Sequence, residues 1–215
     1  DQASNDFGVD DVSASGGTIS NFAGSGLSYT ATFSPSSGFA GSAQISVDAG
    51  SFRNASDVYN ASSSLSISVD TTAPRVTSIQ ATTSNGIYRT GSVIDLSVTF
   101  DEAITVNTGG GVPSLLLETG TTDRAATFVS SAGSQANFRY TVQAGDLSPD
   151  LDFHSVDALA FNGGTIRDVV GNTANRALMS PGVTGSLAAN AALVIDTVAP
   201  TAPTAPTAIP THCRR

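Results

Sequence analysis

One phrase occurs twice in this chain. Ser66-Ile67-Ser68-Val69-Asp70-Thr71-Thr72-Ala73-Pro74 returns as Ala192-Leu193-Val194-Ile195-Asp196-Thr197-Val198-Ala199-Pro200. Each copy alternates apolar residues with others and then closes on Asp-Thr-x-Ala-Pro. Alternation at period two describes a strand with one buried face. The proline that follows has no amide hydrogen to extend a ladder, and it holds the residue before it in extended backbone. The phrase therefore reads as the last strand of one folded unit followed by a stiff connector. Recurrence of a whole phrase is how arrays of units appear in sequence. Three segments follow: a short unit over 1–70, a complete unit over 71–199, and a Pro/Thr/Ala-rich linker or tail over 200–215.

Composition points to strands. The chain has no Lys, two Glu and one Met among 215 residues, so the residues that favour helices are scarce. It is rich in Thr and Ser and contains 21 Gly, which suits strands joined by tight turns. Hydrophobic residues at 40% and charged residues at 13% exclude a disordered polyelectrolyte. The net charge of −9 opposes binding to nucleic acid or to an anionic membrane surface and suits the collection of divalent cations. The one cysteine, Cys213, forbids an internal disulfide. No apolar run approaches the ~20 residues of a membrane span, so no membrane insertion is expected. No leader precedes Asp1, so the chain is expected to be processed or cut from something longer.

Strands are expected at 18–22, 27–33, 43–47 and 64–69 in the first unit, with a hairpin at Gly24-Ser25-Gly26. That is few for a sandwich, where about seven is usual. The first unit is therefore expected to lack its opening strands, to expose unpaired edges and to be the less stable half. In the second unit strands are expected at 75–80, 93–100, 113–118, 125–130, 136–142, 158–161, 165–167 and 191–195. Asn85-Gly86 and Asn162-Gly163-Gly164 are turn chemistry that tolerates positive φ. No helical period persists over any long stretch. The expected fold is all-β: tandem immunoglobulin-like β-sandwiches of Greek-key type, the first truncated at its N-terminus.

Several longer stretches strengthen this. They are the Asp-Thr-x-Ala-Pro junctions, Gly-Ser-Val-Ile-Asp-Leu-Ser-Val-Thr-Phe-Asp-Glu-Ala at 91–103, Phe-Arg-Tyr-Thr-Val-Gln-Ala-Gly-Asp at 138–146, Asp-Leu-Asp at 150–152, Gly-Gly-Thr-Ile-Arg-Asp-Val-Val-Gly-Asn at 163–172 and Leu-Val-Ile-Asp at 193–196. Together they resemble the bacterial Ig-like (BIg-type) tandem repeats of giant calcium-dependent, RTX-type adhesins and related secreted surface proteins. Residues 6–74 resemble a second, shorter repeat type of the same proteins, through Asp6-Phe7-Gly8-Val9-Asp10-Asp11-Val12 and Ser28-Tyr29-Thr30-Ala31-Thr32-Phe33. The resemblance covers about 200 residues. It implies an extracellular or cell-surface location and an extender role, with neighbouring Ig-like repeats of the same polypeptide as partners and a glycan or host protein as partner of the parent. It also implies two strands ahead of the point where this chain starts. In the first unit the Asp-x-x-Gly-Asn turn is replaced by Arg53-Asn54-Ala55-Ser56-Asp57, which puts any role of that turn in doubt there.

Calcium is the cofactor with a physical case. It takes six to eight oxygen ligands, largely carboxylates and carbonyls. From Asp70 the chain runs out along one strand, turns and returns along 93–100. Asp101 and Glu102 should therefore arrive beside Asp70, Thr71 and Thr72. Converging carboxylates repel unless a cation neutralises them. Asp168 is a further candidate ligand, as are Asp150 and Asp152. The competing reading is that these Asp residues cap turns by accepting backbone amides.

Catalytic chemistry finds little support. The histidines are His154 and His212, and no Gly-x-Ser-x-Gly elbow is present. Asp152, His154 and Ser155 are near neighbours, but neighbours in an extended strand point to opposite faces and form no triad. With no Trp and four Tyr a sugar platform is not expected. Two His far apart and one Cys exclude zinc on spacing. Asn54-Ala55-Ser56 and Asn60-Ala61-Ser62 match the glycosylation pattern, which a Ser-rich chain also produces by chance. Three functions stay open: an extender in a surface adhesin with calcium-stiffened linkers, a carbohydrate- or protein-binding module, and an accessory region of a secreted hydrolase.

Overall fold

The computed structural model describes residues 2–4 and 6–202, so most of the expected tail at 200–215, with His212 and Cys213, lies outside the described residues. After a 3-10 turn at Val9–Asp11, the first seventy residues form β1 (Val12–Ser15), β2 (Gly17–Ser25), β3 (Ser28–Pro35), β4 (Ala40–Val47) and β5 (Ser63–Asp70). They make two antiparallel sheets, β1-β4-β5 and β2-β3. β2 and β3 meet at Gly24 (φ 141°) and Gly26 (φ 65°), as the glycines of that hairpin predict. Leu27, assigned to a strand from sequence, sits in the turn and is exposed. β1 escapes pattern reading because its Val-Ser-Ala-Ser face is nearly polar; it is fixed by its register, Val12 to Val47 and Ala14 to Ile45.

This part of the chain has little core. Ala43 is its one fully buried hydrophobic residue among those described. Its apolar contact is instead an aromatic cluster: Phe7 packs on Phe52, Tyr29 and Phe22 with ring centroids 4.6, 4.9 and 5.4 Å apart. Offset and edge-on aromatic pairs contribute ~0.5–1.5 kcal/mol each beyond their buried area.

Beyond Arg75 the strands are β6 (Val76–Ala81), β7 (Gly86–Tyr88), β8 (Val93–Phe100), β9 (Thr105–Asn107), β10 (Ser114–Leu117), β11 (Arg124–Ala132), β12 (Gln135–Thr141), β13 (Leu147–Ser148), β14 (Leu159–Ala160), β15 (Thr165–Arg167) and β16 (Leu193–Asp196), with one helical turn, α1 (Leu187–Asn190), before β16. β14-β10-β11-β12-β8-β6 form a six-stranded antiparallel sheet, while β13-β16-β7 and β15-β9 form smaller ones. The fold is an Ig-like β-sandwich. Ile94, Leu96, Val98 and Phe100 of β8, with Phe138 and Tyr140 of β12, face one core. Ile166 of β15, Leu193 and Ile195 of β16, Phe153 and Leu187 fill the same core. Alternation on β8 is what directs these side chains to a single face. No strand before Thr71 pairs with a strand after it among the described residues.

Two turn expectations part ways. Asn162 (φ 53°) and Gly163 (φ 88°) adopt the left-handed region, as expected. Asn85-Gly86 does not: Gly86 opens β7, parallel to β16, and Asn85 Oδ1 accepts the Ala192 amide at 3.0 Å. The reversal falls at Arg89–Ser92, where the Ser92 amide donates to the Arg89 carbonyl and Gly91 has φ 85°. Near the core edge, buried Asp146 accepts the Tyr140 hydroxyl (2.5 Å), the Gln143 amide (2.7 Å) and Arg124 Nε (2.9 Å). Burial pushes the Asp146 carboxyl up, but these donors outweigh it and hold it below the usual carboxylate range. The Tyr140 hydroxyl is raised, first by burial and then by that carboxylate.

Candidate metal centre at the Asp70 connector

Residues 71–75 belong to no strand or helix and link the two sets of sheets. Both ends of this connector are tied down. The Thr71 amide donates to the Phe39 carbonyl (2.8 Å), its hydroxyl donates to the Ser36 carbonyl (2.7 Å), and the Phe39 amide donates back to that hydroxyl (2.9 Å). On the other side the Arg75 amide donates to Asp101 Oδ1 (2.8 Å), the Asp101 amide to the Arg75 carbonyl (3.0 Å), and the Asn175 amide to the Pro74 carbonyl (2.8 Å). Pro74 is buried.

The second copy of the phrase repeats the scheme. Asp70 Oδ1 accepts the Thr72 amide at 2.9 Å, and Asp196 Oδ1 accepts the Val198 amide at 2.9 Å. Thr197 donates its hydroxyl to the Asp146 carbonyl (2.8 Å) and accepts the Gly145 amide (3.1 Å), as Thr71 does with Ser36 and Phe39. The Asp-Thr pair is a clamp: the carboxylate closes a turn on the amide two residues on, and the hydroxyl pins the strand end to a neighbouring loop.

Asp70, Glu102 and Asp168 converge here, each with an oxygen within 4.8 Å of the others. β5 delivers Asp70, the end of β8 delivers Glu102, and the end of β15 delivers Asp168. Asp168 is buried, and its Oδ1 accepts the Val170 (2.9 Å), Gly171 (2.6 Å) and Asn172 (2.8 Å) amides. Asn172 Nδ2 donates both to Asp168 Oδ2 (2.7 Å) and to the Asp70 carbonyl (3.1 Å). Burial pushes the Asp168 carboxyl up, but these donors hold it below its ordinary value. Glu102 moves the other way: burial raises it first, then the charges of Asp168, Asp70 and Asp101. One carboxylate is fixed in its charged form and a second is charged only against repulsion, which is the electrostatic condition a cation relieves.

The donor set fits calcium. Ca–O bonds of ~2.3–2.6 Å allow two ligands of one ion to stand up to about 5 Å apart, and all the side-chain ligands are hard oxygens. Of the six residues singled out from sequence, Asp70, Glu102 and Asp168 come together. Asp101 is beside them but binds Arg75. Asp150 and Asp152 stand outside the group. Asp150 is exposed after β13. Asp152 is a buried cap: Oδ1 accepts the Phe153 (2.9 Å) and Leu187 (3.1 Å) amides, and Oδ2 accepts the Gly182 amide (2.8 Å). The residue missed from sequence is Asn172, whose place in the Asp-x-x-Gly-Asn turn was the available signal.

Residues 1–69 match the family model described as bacterial Ig-like domain. The match covers 69 of the chain's 215 residues and is a likeness to that domain type. The match ends one residue short of Asp70, at the strand that leads into the connector. No curated protein and no solved structure matches the chain. Among the described residues no helix is long and apolar enough to cross a membrane.

Proposed function

We propose that this chain is an extender segment of a large extracellular bacterial adhesin: Ig-like repeats in series, with calcium held at Asp70, Glu102 and Asp168 stiffening the connector between them. One observation carries the reading. Three carboxylates supplied by β5, β8 and β15 converge where Asn172 joins the second sandwich to the Asp70 carbonyl. An ion there would tie the end of one repeat to the start of the next and remove the repulsion on Glu102. The bacterial Ig-like match at 1–69 supports a surface-protein repeat; in this reading neighbouring repeats are its partners and the cell surface is its location.

The test is thermal unfolding of the chain in excess calcium and in excess chelator. At a calcium concentration 100 times Kd, the linkage relation stabilises the folded state by about 2.7 kcal/mol. A matching rise in Tm, abolished by Glu102→Gln with Asp168→Asn, supports the proposal. Superimposable melting curves remove calcium from it.

A further inference from the structure

A second constellation lies away from the connector. We infer that Glu118, Asp123 and His154 form a transition-metal site of the zinc class, which clips the turn between β10 and β11 to the segment after β13. The backbone brings the three together. Leu117 pairs with Arg124 across the β10-β11 hairpin, which places Glu118 and Asp123 at its mouth. On the other side Leu117 bridges Phe153, the His154 amide donates to the Leu116 carbonyl (2.9 Å) and the Glu118 amide to the Asp152 carbonyl (3.0 Å).

His154 Nδ1 lies 3.0 Å from Asp123 Oδ2 and 3.3 Å from Glu118 Oε2. One ligand atom from each residue falls within 4.8 Å of the others. Zinc bonds of ~2.0–2.2 Å in a tetrahedron set its ligands ~3.3–3.6 Å apart, close to these separations. A single ring nitrogen faces two carboxylates but carries at most one hydrogen. Asp123 Oδ1 is buried and has no hydrogen-bond partner. A divalent ion accepts one nitrogen and two carboxylate oxygens at once and leaves a fourth position for water. An imidazole in the set favours zinc over calcium. The spacing of Cys and His alone speaks against zinc; here carboxylates complete the set.

The experiment is calorimetric titration of the metal-free full chain with zinc chloride in 10 mM calcium, so that the Asp70 cluster is not the acceptor. The chain carries His212→Ala and Cys213→Ser to remove the tail's own ligands. One equivalent should bind, and cobalt(II) should show the visible absorption of a tetrahedral site. His154→Ala should weaken zinc binding at least about tenfold. Glu118→Gln, with folding checked by circular dichroism, should do the same if His154→Ala fails to fold. Glu102→Gln should leave zinc binding unchanged. Absence of zinc binding, or affinity unaltered by both His154→Ala and Glu118→Gln, overturns the inference.

Discussion

Asp146→Ala tests the account of what holds the second sandwich together. Its carboxylate is 1% exposed and accepts three donors: the Tyr140 hydroxyl, the Gln143 amide and Arg124 Nε. Tyr140 is also 1% exposed, so its hydroxyl cannot turn to water when the partner is lost. The Arg124 side chain is 26% exposed and can, which keeps its share small. A stranded buried donor costs ~1–3 kcal/mol, and breaking a buried charged pair ~3–5 kcal/mol. With the arginine discounted, the expected loss is about 3–4 kcal/mol, a large part of the ~5–15 kcal/mol typical of a domain. For a unit of this size that is roughly 10–15 °C in Tm. Urea unfolding followed by far-ultraviolet circular dichroism measures it. Tyr140→Phe, which removes only the hydroxyl, should lose about 1 kcal/mol. The pH profile supplies a second readout. The folded Asp146 carboxyl lies below its unfolded value, so its contribution is complete above that value, ~3.9, and is lost as pH falls through the folded one. The wild type should lose this stability in acid, and Asp146→Ala should have none of it to lose. A loss under 1 kcal/mol, or equal acid sensitivity in both chains, refutes the reasoning.

Asn172→Ala removes donors from Asp168 Oδ2 and the Asp70 carbonyl together and should lower stability by about 1–3 kcal/mol in urea unfolding. Glu102→Gln should raise Tm in chelator at neutral pH. A carboxyl raised in the folded state is destabilising while ionised, and that penalty disappears as pH falls through its folded value. The same variant should show a smaller calcium-dependent rise. Gly111→Ala should destabilise the second sandwich by well over 1 kcal/mol, because its Cβ would stand 1.7 Å from the Asn162 carbonyl oxygen. Thermal melts of that variant check it.

The sequence was legible where a period had room to repeat. β8 falls at 93–100 as its alternation predicts. β7, β9 and β13 are two or three residues long, too short to display any period, and α1 is a single turn. At the connector, tracing the chain out and back from Asp70 placed Glu102 correctly, because strand direction alone settles which end is shared. It could not separate Asp101 from Glu102, since that depends on which carboxylate the Arg75 amide takes. Asp152 looked like a ligand because acidity is visible in sequence, whereas the amides of Phe153, Gly182 and Leu187 that needed an acceptor are not. The chain shows His154 only beside Asp152 and Ser155, while Glu118 and Asp123 reach it from a distant hairpin.

Asn172 takes hold of residue 70 by its main-chain oxygen and ignores the side chain. That grip survives any replacement of the aspartate. If the proposed calcium reading holds, a change at Asp70 would alter ion binding and leave the Asn172 bond in place, whereas a change at Asn172 would disturb both, because Asn172 also holds Asp168 Oδ2.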